Sequence, residues 1–389
     1  MQLTIISAGP GDGRLLTAEA EERISAADMI LGSERLVSAY GGYRAVTADE
    51  VERHINLYSP QQAAVLVSGD AGFFSLAKSL KARFPEAEIL PGISSAAYLS
   101  AALGIPHEDW VYVSLHGREA APAVMCSIHR NVFFLTDRKN TPRAICSRLT
   151  DFGLGGLTVS VGEDLSLKSE RIRTLTAAKG ATEDFSPLCA LLVQNPNASG
   201  TISSIPDKSF IRGDAPMTKH QVRTTVISLL DIAADSTVWD IGAGTGSVSV
   251  EAARLCPRGR VMAVEMSPAR TELIEKNSRR FSTDNITAVT ADAISAMPSL
   301  PDPDSVFIGG SGKQTIAVVK AVFSRSPRAV VMTAVTLETV SKILALADSG
   351  QIPEPEICQL SVSNIRRAGA HSLLSAENPV FIFSWRRLR

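Results

Sequence analysis

A chain of 389 residues is longer than one ordinary hydrophobic core supports, and two or three domains are expected. Its 45% hydrophobic and 20% charged residues exclude a disordered or fibrous chain. A formal net charge of −1 argues against a general nucleic-acid binder, whose affinity would rest on a basic face, but leaves room for a local basic pocket.

No apolar run reaches the roughly 18 residues that span a bilayer, and residues 3–6 lead into a glycine turn as a strand would, not as a signal peptide. Cys126, Cys146, Cys189, Cys256 and Cys358 are scattered, odd in number and form no C-x-x-C pair. They fit reduced, mostly buried thiols of a cytoplasmic protein, with neither a disulfide frame nor a metal site.

In chain order, the first strand runs into the turn SAGPGDG (7–13), and a helix is expected over AEAEERISAADMI (18–30). Further strand signals are AAVLVSGD (63–70), VYVSLHG (111–117), NVFFLTD (131–137), LTVSVGED (157–164) and PLCALLVQN (187–195). The stretch 196–216 is rich in Pro, Gly, Ser and Asp and has no periodicity, which places a linker at 198–213 between domains 1–197 and 214–389.

The second domain opens with a helix in which Val222, Val226, Leu229 and Leu230 recur at helical spacing. Strands follow at TVWDIGAG (237–244), RVMAVEMS (260–267), ITAVTADA (286–293), SVFIGGS (305–311) and RAVVMTAV (328–335). Helices fall at 247–256, 269–281 and 337–350. Short apolar strands alternating with amphipathic helices imply a mostly parallel sheet covered on both faces. The terminal runs EICQLSVSNIRR (356–367) and VFIFSWRRL (380–388) suggest an antiparallel hairpin closing it. The fold class is α/β, two such domains in tandem.

In VWDIGAGTGSVSVE (238–251), Gly242, Gly244 and Gly246 sit between a strand and a helix, where bare backbone can approach a ligand. A dinucleotide fingerprint would need glycine at Ser247. The pattern D-x-G-x-G-x-G instead resembles the first motif of the Rossmann-like methyltransferases that use S-adenosylmethionine. The resemblance implies cofactor contacts from Gly242, Ala243, Gly244, Thr245 and Gly246. Glu265 ends the next strand, where a carboxylate can accept both ribose hydroxyl protons. Asp292 and Ala293 end the third, the family's position for the adenine edge. GGSGKQT (309–315) is no P-loop: that motif needs glycine at Phe307 and a hydroxyl at Gln314. Its glycines give a ligand room above the fourth strand.

The first glycine turn lacks Lys-Ser/Thr and is followed by SGDAGF (68–73) and PGISS (91–95). This trio, with VSLHGR (113–118) and LTDRKNTP (135–142), resembles the tetrapyrrole methylases, whose two α/β lobes bind S-adenosylmethionine in a cleft. By that resemblance Pro10, Gly69, Asp70, Ala71, Ser94 and Ser95 contact the cofactor. Ala71 stands where the family often has proline, a change in turn stiffness more than in chemistry.

Taken together, the halves resemble the fused, decarboxylating precorrin methyltransferases that build the corrin ring of cobalamin. APMTKHQVR (215–223), FIGGS (307–311) and GAHSLLSAENPVFIF (369–383) extend the likeness. It implies methylation at C5 by the first domain, methylation at C15 with decarboxylation by the second, and one S-adenosylmethionine in each. It also implies a carboxylate-rich precorrin as substrate, and a dimer or tetramer, with no nucleic-acid or membrane partner. Such a substrate needs cationic partners. His116 and Arg118, backed by Arg138 and Lys139, are the candidates in the first domain; Lys219, Arg223 and His371 are those in the second. Thr218 falls on a cofactor-contacting position of the family.

Two rival classes meet specific objections. A nicotinamide oxidoreductase would have the third dinucleotide glycine. An RNA-directed module would have a basic appendage or an N/D-P-P-Y/F motif after the fourth strand, where FIGGS stands instead.

Overall fold

A computed structural model of the chain describes residues 1–117, 119–200, 204–310 and 312–386. The chain divides into two compact units. One comprises Met1–Arg118, Asn131–Ile145 and Leu157–Gln194; the other comprises Glu119–Arg130, Cys146–Gly156 and Asn195–Arg389.

The first unit has two lobes. One is an all-parallel sheet of β1 (Gln2–Ser7), β2 (Met29–Gly32), β3 (Tyr43–Arg44), β4 (Gln62–Val67) and β5 (Glu88–Leu90) in the order β3-β2-β4-β1-β5. After their first residues β1 and β4 are buried throughout, because helices cover both sheet faces. Leu3, Ile5 and Val65 pack into one apolar layer, Ile6 and Leu66 into the other. The second lobe holds β6 (Val111–Ser114), β7 (Asn131–Leu135), β8 (Thr158–Glu163), β9 (Arg171–Thr176) and β10 (Cys189–Gln194) in the order β6-β7-β10-β8-β9. Only β6 and β7 pair in parallel; β10 runs antiparallel between β7 and β8.

The helix expected over 18–30 stops at Ala26, and the chain enters β2 instead. Met29 and Leu31, two residues apart, are both buried, while the Asp28 carboxylate accepts hydrogen bonds from the Gln61 and Gln62 amides at the start of β4. Tertiary pairing overrides the local helix signal.

The second unit carries β11 (Thr237–Ile241), β12 (Arg260–Glu265), β13 (Ile286–Thr290), β14 (Ser305–Ile308), β15 (Ala329–Ala334), β16 (Glu356–Leu360), β17 (Ser363–Ala368), β18 (His371–Ala376) and β19 (Val380–Arg386). Seven form one sheet, β13-β12-β11-β14-β15-β19-β16, parallel except that β19 is antiparallel to both neighbours. The expected closing pair is therefore β16 with β19. The run 356–367 is not one strand: it breaks after Leu360, and β17 pairs with β18 as a separate exposed hairpin. A helix absent from the sequence reading, Thr315–Ser324, connects β14 to β15.

Strand order reverses between β11 and β14, so the crevice beyond their carboxyl ends is the natural ligand position. Within the stretch that reads as linker, Ile205 and Phe210 are buried against Val250. No helix among the described residues is long and apolar enough to cross a membrane.

Candidate active site

At the end of β11 the backbone turns through Gly242, Gly244 and Gly246, with φ values of 75°, 57° and 74°. All three lie in the left-handed region that side chains resist. The turn is pinned by Gly242 and Ala243 amides donating to the Val264 carbonyl. Gly242 also packs on the turn after β14: a Cβ there would stand 2.1 Å from the Gly310 carbonyl oxygen. The Gly244 amide donates to Glu265 Oε2 at 3.0 Å, and the Ser267 amide donates to Oε1 at 3.1 Å. The Glu265 carboxylate is thus fixed at the tip of β12, with the Arg270 guanidinium 3.7 Å away.

These elements enclose a cavity of about 720 Å³. It is lined by Thr218, Lys219, Gly242, Ala243, Gly244, Glu265, Asp292 and Ala293 from the sequence-derived set, and by Gly309 and Gly310 above β14. Thr245 and Gly246 sit behind the wall: Thr245 is buried, and Gly246 caps the helix Ser247–Leu255. Asp292 caps the helix Ala293–Ala296 through Oδ1, which accepts from the Ile294 and Ser295 amides. Met217, Arg270, Gln314 and Thr333 also line the cavity. Sequence reasoning missed them; Arg270 follows Glu265 by five residues, on the first turn of the helix after β12, and that spacing was the available signal.

Asp240, one residue before the last of β11, is buried and accepts from Ser249 Oγ on Oδ2, while Oδ1 has no partner among the described residues. Burial pushes its pKa up from 3.8 to about 6. The fold therefore favours the protonated form: that stabilisation is complete below pH 3.8 and is lost as pH rises through 6. Asp240→Asn removes the loss. In thermal melts of the ligand-free protein its Tm gain over wild type should be larger at pH 7.5 than at pH 4, by an amount equivalent to roughly 3 kcal/mol at most. A gain independent of pH would contradict this.

Arg223 departs from expectation. The sequence offered it as a substrate cation, but its side chain is fully buried. Nε meets Glu251 Oε1 at 2.6 Å, Nη1 meets Asp207 Oδ1 at 3.0 Å and the Thr218 carbonyl at 2.7 Å, and Nη2 donates to the Ile205 carbonyl. Its donors are committed to the protein itself. His371 opens β18 on the exposed hairpin and is not among the residues lining the cavity.

In the first unit a cavity of about 260 Å³ lies between the two lobes. Pro10, Gly69, Ser95 and His116 line it, with Gly162, Leu165, Leu188 and Ala190 from the second lobe. Gly9 and Gly69 hold the two glycine turns together by a reciprocal pair of backbone hydrogen bonds, 3.1 and 2.7 Å. Asp70, Ala71 and Ser94 stand behind the wall. Asp70 accepts from the Gly72 and Gly92 amides, the Ala71 amide donates to Ser7 Oγ, and Ser94 caps the helix Ser95–Leu103. They shape the loops and do not line the cavity. Arg138 and Lys139 are exposed on a turn organised by Asp137, which accepts from the Gly117, Lys139 and Asn140 amides. Arg118 lies outside the described residues.

A glycine turn at a sheet's switch point with an acidic residue on the neighbouring strand, and a two-lobed unit with a cleft at paired glycine turns, define a protein built from two methyltransferase modules. Comparison with known proteins agrees. Residues 2–179 match the family described as tetrapyrrole (corrin/porphyrin) methylases, and residues 209–387 match that described as a precorrin methyltransferase domain. A precorrin-6Y C(5,15)-methyltransferase [decarboxylating] from Sinorhizobium sp is 29% identical, over 88% of this chain and 86% of that protein. Two separate Salmonella typhimurium proteins match the halves. A cobalt-precorrin-7 C(5)-methyltransferase is 33% identical over 44% of this chain and 90% of its own length; a cobalt-precorrin-6B C(15)-methyltransferase (decarboxylating) is 37% identical over 46% and 93%. The chain belongs to the precorrin-6Y C5,15-methyltransferase (decarboxylating) family.

Proposed function

We propose that the chain methylates precorrin-6Y at C5 and C15 and decarboxylates its C12 acetate, giving precorrin-8X. In this reading residues 1–197 act at C5, residues 214–389 act at C15 and on the acetate, and 198–213 join them. The observation that carries it is the pair of cavities, each built on its own glycine turns in its own unit.

S-adenosylmethionine supplies an activated methyl group when bound, and the residues of both cavities fit it. In the second, Glu265 would hold the ribose hydroxyls with the remaining lone pair of each carboxylate oxygen, and Asp292, which lines the cavity, would accept from the adenine amine. Gly242 and Gly244 line the cavity with bare backbone, and the space a Cβ would take at each is filled by the Gly310 and Pro216 carbonyls of the protein itself. In the first, Pro10, Gly69 and Ser95 form one wall and the second lobe forms the other. With an activated methyl supplied, what the chain must add is alignment of an electron-rich ring carbon. A nucleophile or metal is not needed for that.

Lys219 and Arg270 line the second cavity and are suited to holding substrate carboxylates by charge-assisted hydrogen bonds. Val318, Val335 and Val380 line it too, and their apolar surface disfavours a charged acetate. Loss of carbon dioxide leaves an electron pair that the conjugated macrocycle accepts; a proton then completes the new methyl group. His116 lines the first cavity and is exposed there, which supports a role for its imidazole in holding or passing a proton during methylation at C5.

The test is mass analysis of the product after incubation with isotopically labelled S-adenosylmethionine and the reduced precorrin. Two labelled methyl groups and loss of one carbon dioxide are expected; a single methyl addition without decarboxylation would refute the two-site reading. Glu265→Gln keeps an acceptor but loses the charge. Calorimetry on the second site should show S-adenosylhomocysteine bound about 10–100-fold more weakly, and unchanged affinity would remove Glu265 from the site.

A further inference from the structure

The first cavity, about 260 Å³, is too small to enclose a four-ring macrocycle with its side chains. The ring must lie across the mouth. Four of the lining residues are exposed there: Ser68, Phe74, His116 and Leu188. Two of these are apolar, Phe74 at 42% exposure and Leu188 at 41%.

Phe74 is also conformationally unusual. Its φ is +50°, a left-handed value that a bulky side chain rarely adopts. The surroundings enforce it. Phe73 is turned inward, edge-on to Tyr112 at 5.2 Å and tilted on Phe133 at 6.1 Å. Asp70 ties the loop down at the Gly72 and Gly92 amides, its carbonyl accepts from the Phe73 amide, and Ser75 Oγ donates to the Ala71 carbonyl. With one ring committed to the core, the reversed backbone twist at the next residue directs the second ring to the mouth. The two rings meet at 5.0 Å and 72°. Strain of this kind persists where its surroundings over-determine it and a site makes use of it.

We propose that Phe74 is a positioning residue: an aromatic lip, with the exposed Leu188 on the same lining, on which the flat conjugated face of the tetrapyrrole rests so that its target carbon overhangs the cavity. The inference rests on the reading of this cavity as the C5 methylation site. An aromatic face suits a conjugated ring by stacking as well as by apolar contact.

The test uses the full chain and the reduced precorrin, with C5 and C15 methylation scored separately. Phe74→Ala should raise KM for the tetrapyrrole at C5 about tenfold. The kcat, the affinity for S-adenosylhomocysteine at this site and the C15 reaction should stay within about twofold of wild type. Phe74→Tyr should restore KM. Phe74→Gly should show the same KM defect yet a higher Tm than Phe74→Ala, because glycine relieves the strain. An unchanged KM in Phe74→Ala overturns the proposal, as does an equal loss of S-adenosylhomocysteine affinity, which would make Phe74 a wall for the cofactor. A Phe74→Gly protein no more stable than Phe74→Ala also counts against it. If wild type leaves C5 unmethylated while methylating C15, the reading of the cavity falls, and the inference with it.

Discussion

Gly242→Val should abolish methyl transfer at C15 while C5 methylation continues. The substitution meets two obstacles at once. A Cβ at this position would lie 2.1 Å from the Gly310 carbonyl oxygen, which is backbone and cannot rotate away, and φ is +75°. To relieve the clash the turns after β11 and β14 must separate. That displaces the Gly244 amide from Glu265 and opens the cavity wall. The loss at C15 should exceed 100-fold, the scale of one misplaced positioning element. Isotope incorporation at C5 and C15, followed separately by mass spectrometry, reads both effects in one sample. Equal loss at both carbons in a folded protein would mean that a single cofactor site serves the two reactions. Gly244→Val should act in the same direction, since its φ is +57° and its would-be Cβ stands 3.0 Å from the Pro216 carbonyl.

Arg223→Ala should cost about 3–5 kcal/mol of stability, because removing one partner leaves the buried Glu251 charge without compensation. A fall in Tm on the order of 10 °C is expected. Adding Glu251→Gln should recover part of it, since the stranded charge is then gone. Arg223→Lys should not, because one ammonium cannot reach Glu251, Asp207 and two carbonyls arranged for a planar fork. A substrate-binding arginine would behave differently: KM would rise and Tm would stay. Differential scanning calorimetry alongside tetrapyrrole KM separates the two.

What the sequence disclosed, and what it hid, follows from the range of the interactions involved. The glycine turn at 242–246, Glu265, and Asp292 with Ala293 are legible because parallel strands covered on both faces are short apolar runs, and each acidic group falls at the run's end. Gly242, Ala243 and Gly244 of that turn, Glu265, Asp292 and Ala293 all line one cavity. Arg223 was misread because its neighbours in sequence are a polar helix start, whereas its partners are 28 and 16 residues away. Nothing local marks it as buried. The helix Thr315–Ser324 escaped notice because its valines and isoleucine carry strand propensity, although Thr315, Val318, Val319 and Val322 keep helical spacing and are all buried. Asp70 reads as a cofactor contact because it lies within the matching motif; it does not line the cavity, and its two oxygens accept from the Gly72 and Gly92 amides that shape the loop.

The Arg223 cluster also bears on where the second module begins. Asp207 and the Ile205 carbonyl complete the guanidinium's shell, the Ile205 amide donates to Glu251, and Phe210 stacks under the arginine at 4.9 Å. A polypeptide started at Asp214, where composition alone would cut, would expose the Val250 surface and strand an ionised pair in water-poor surroundings. Starting ahead of Ser204 keeps the clasp whole. A stretch that looks like a tether is in this respect the N-terminal seal of the catalytic body.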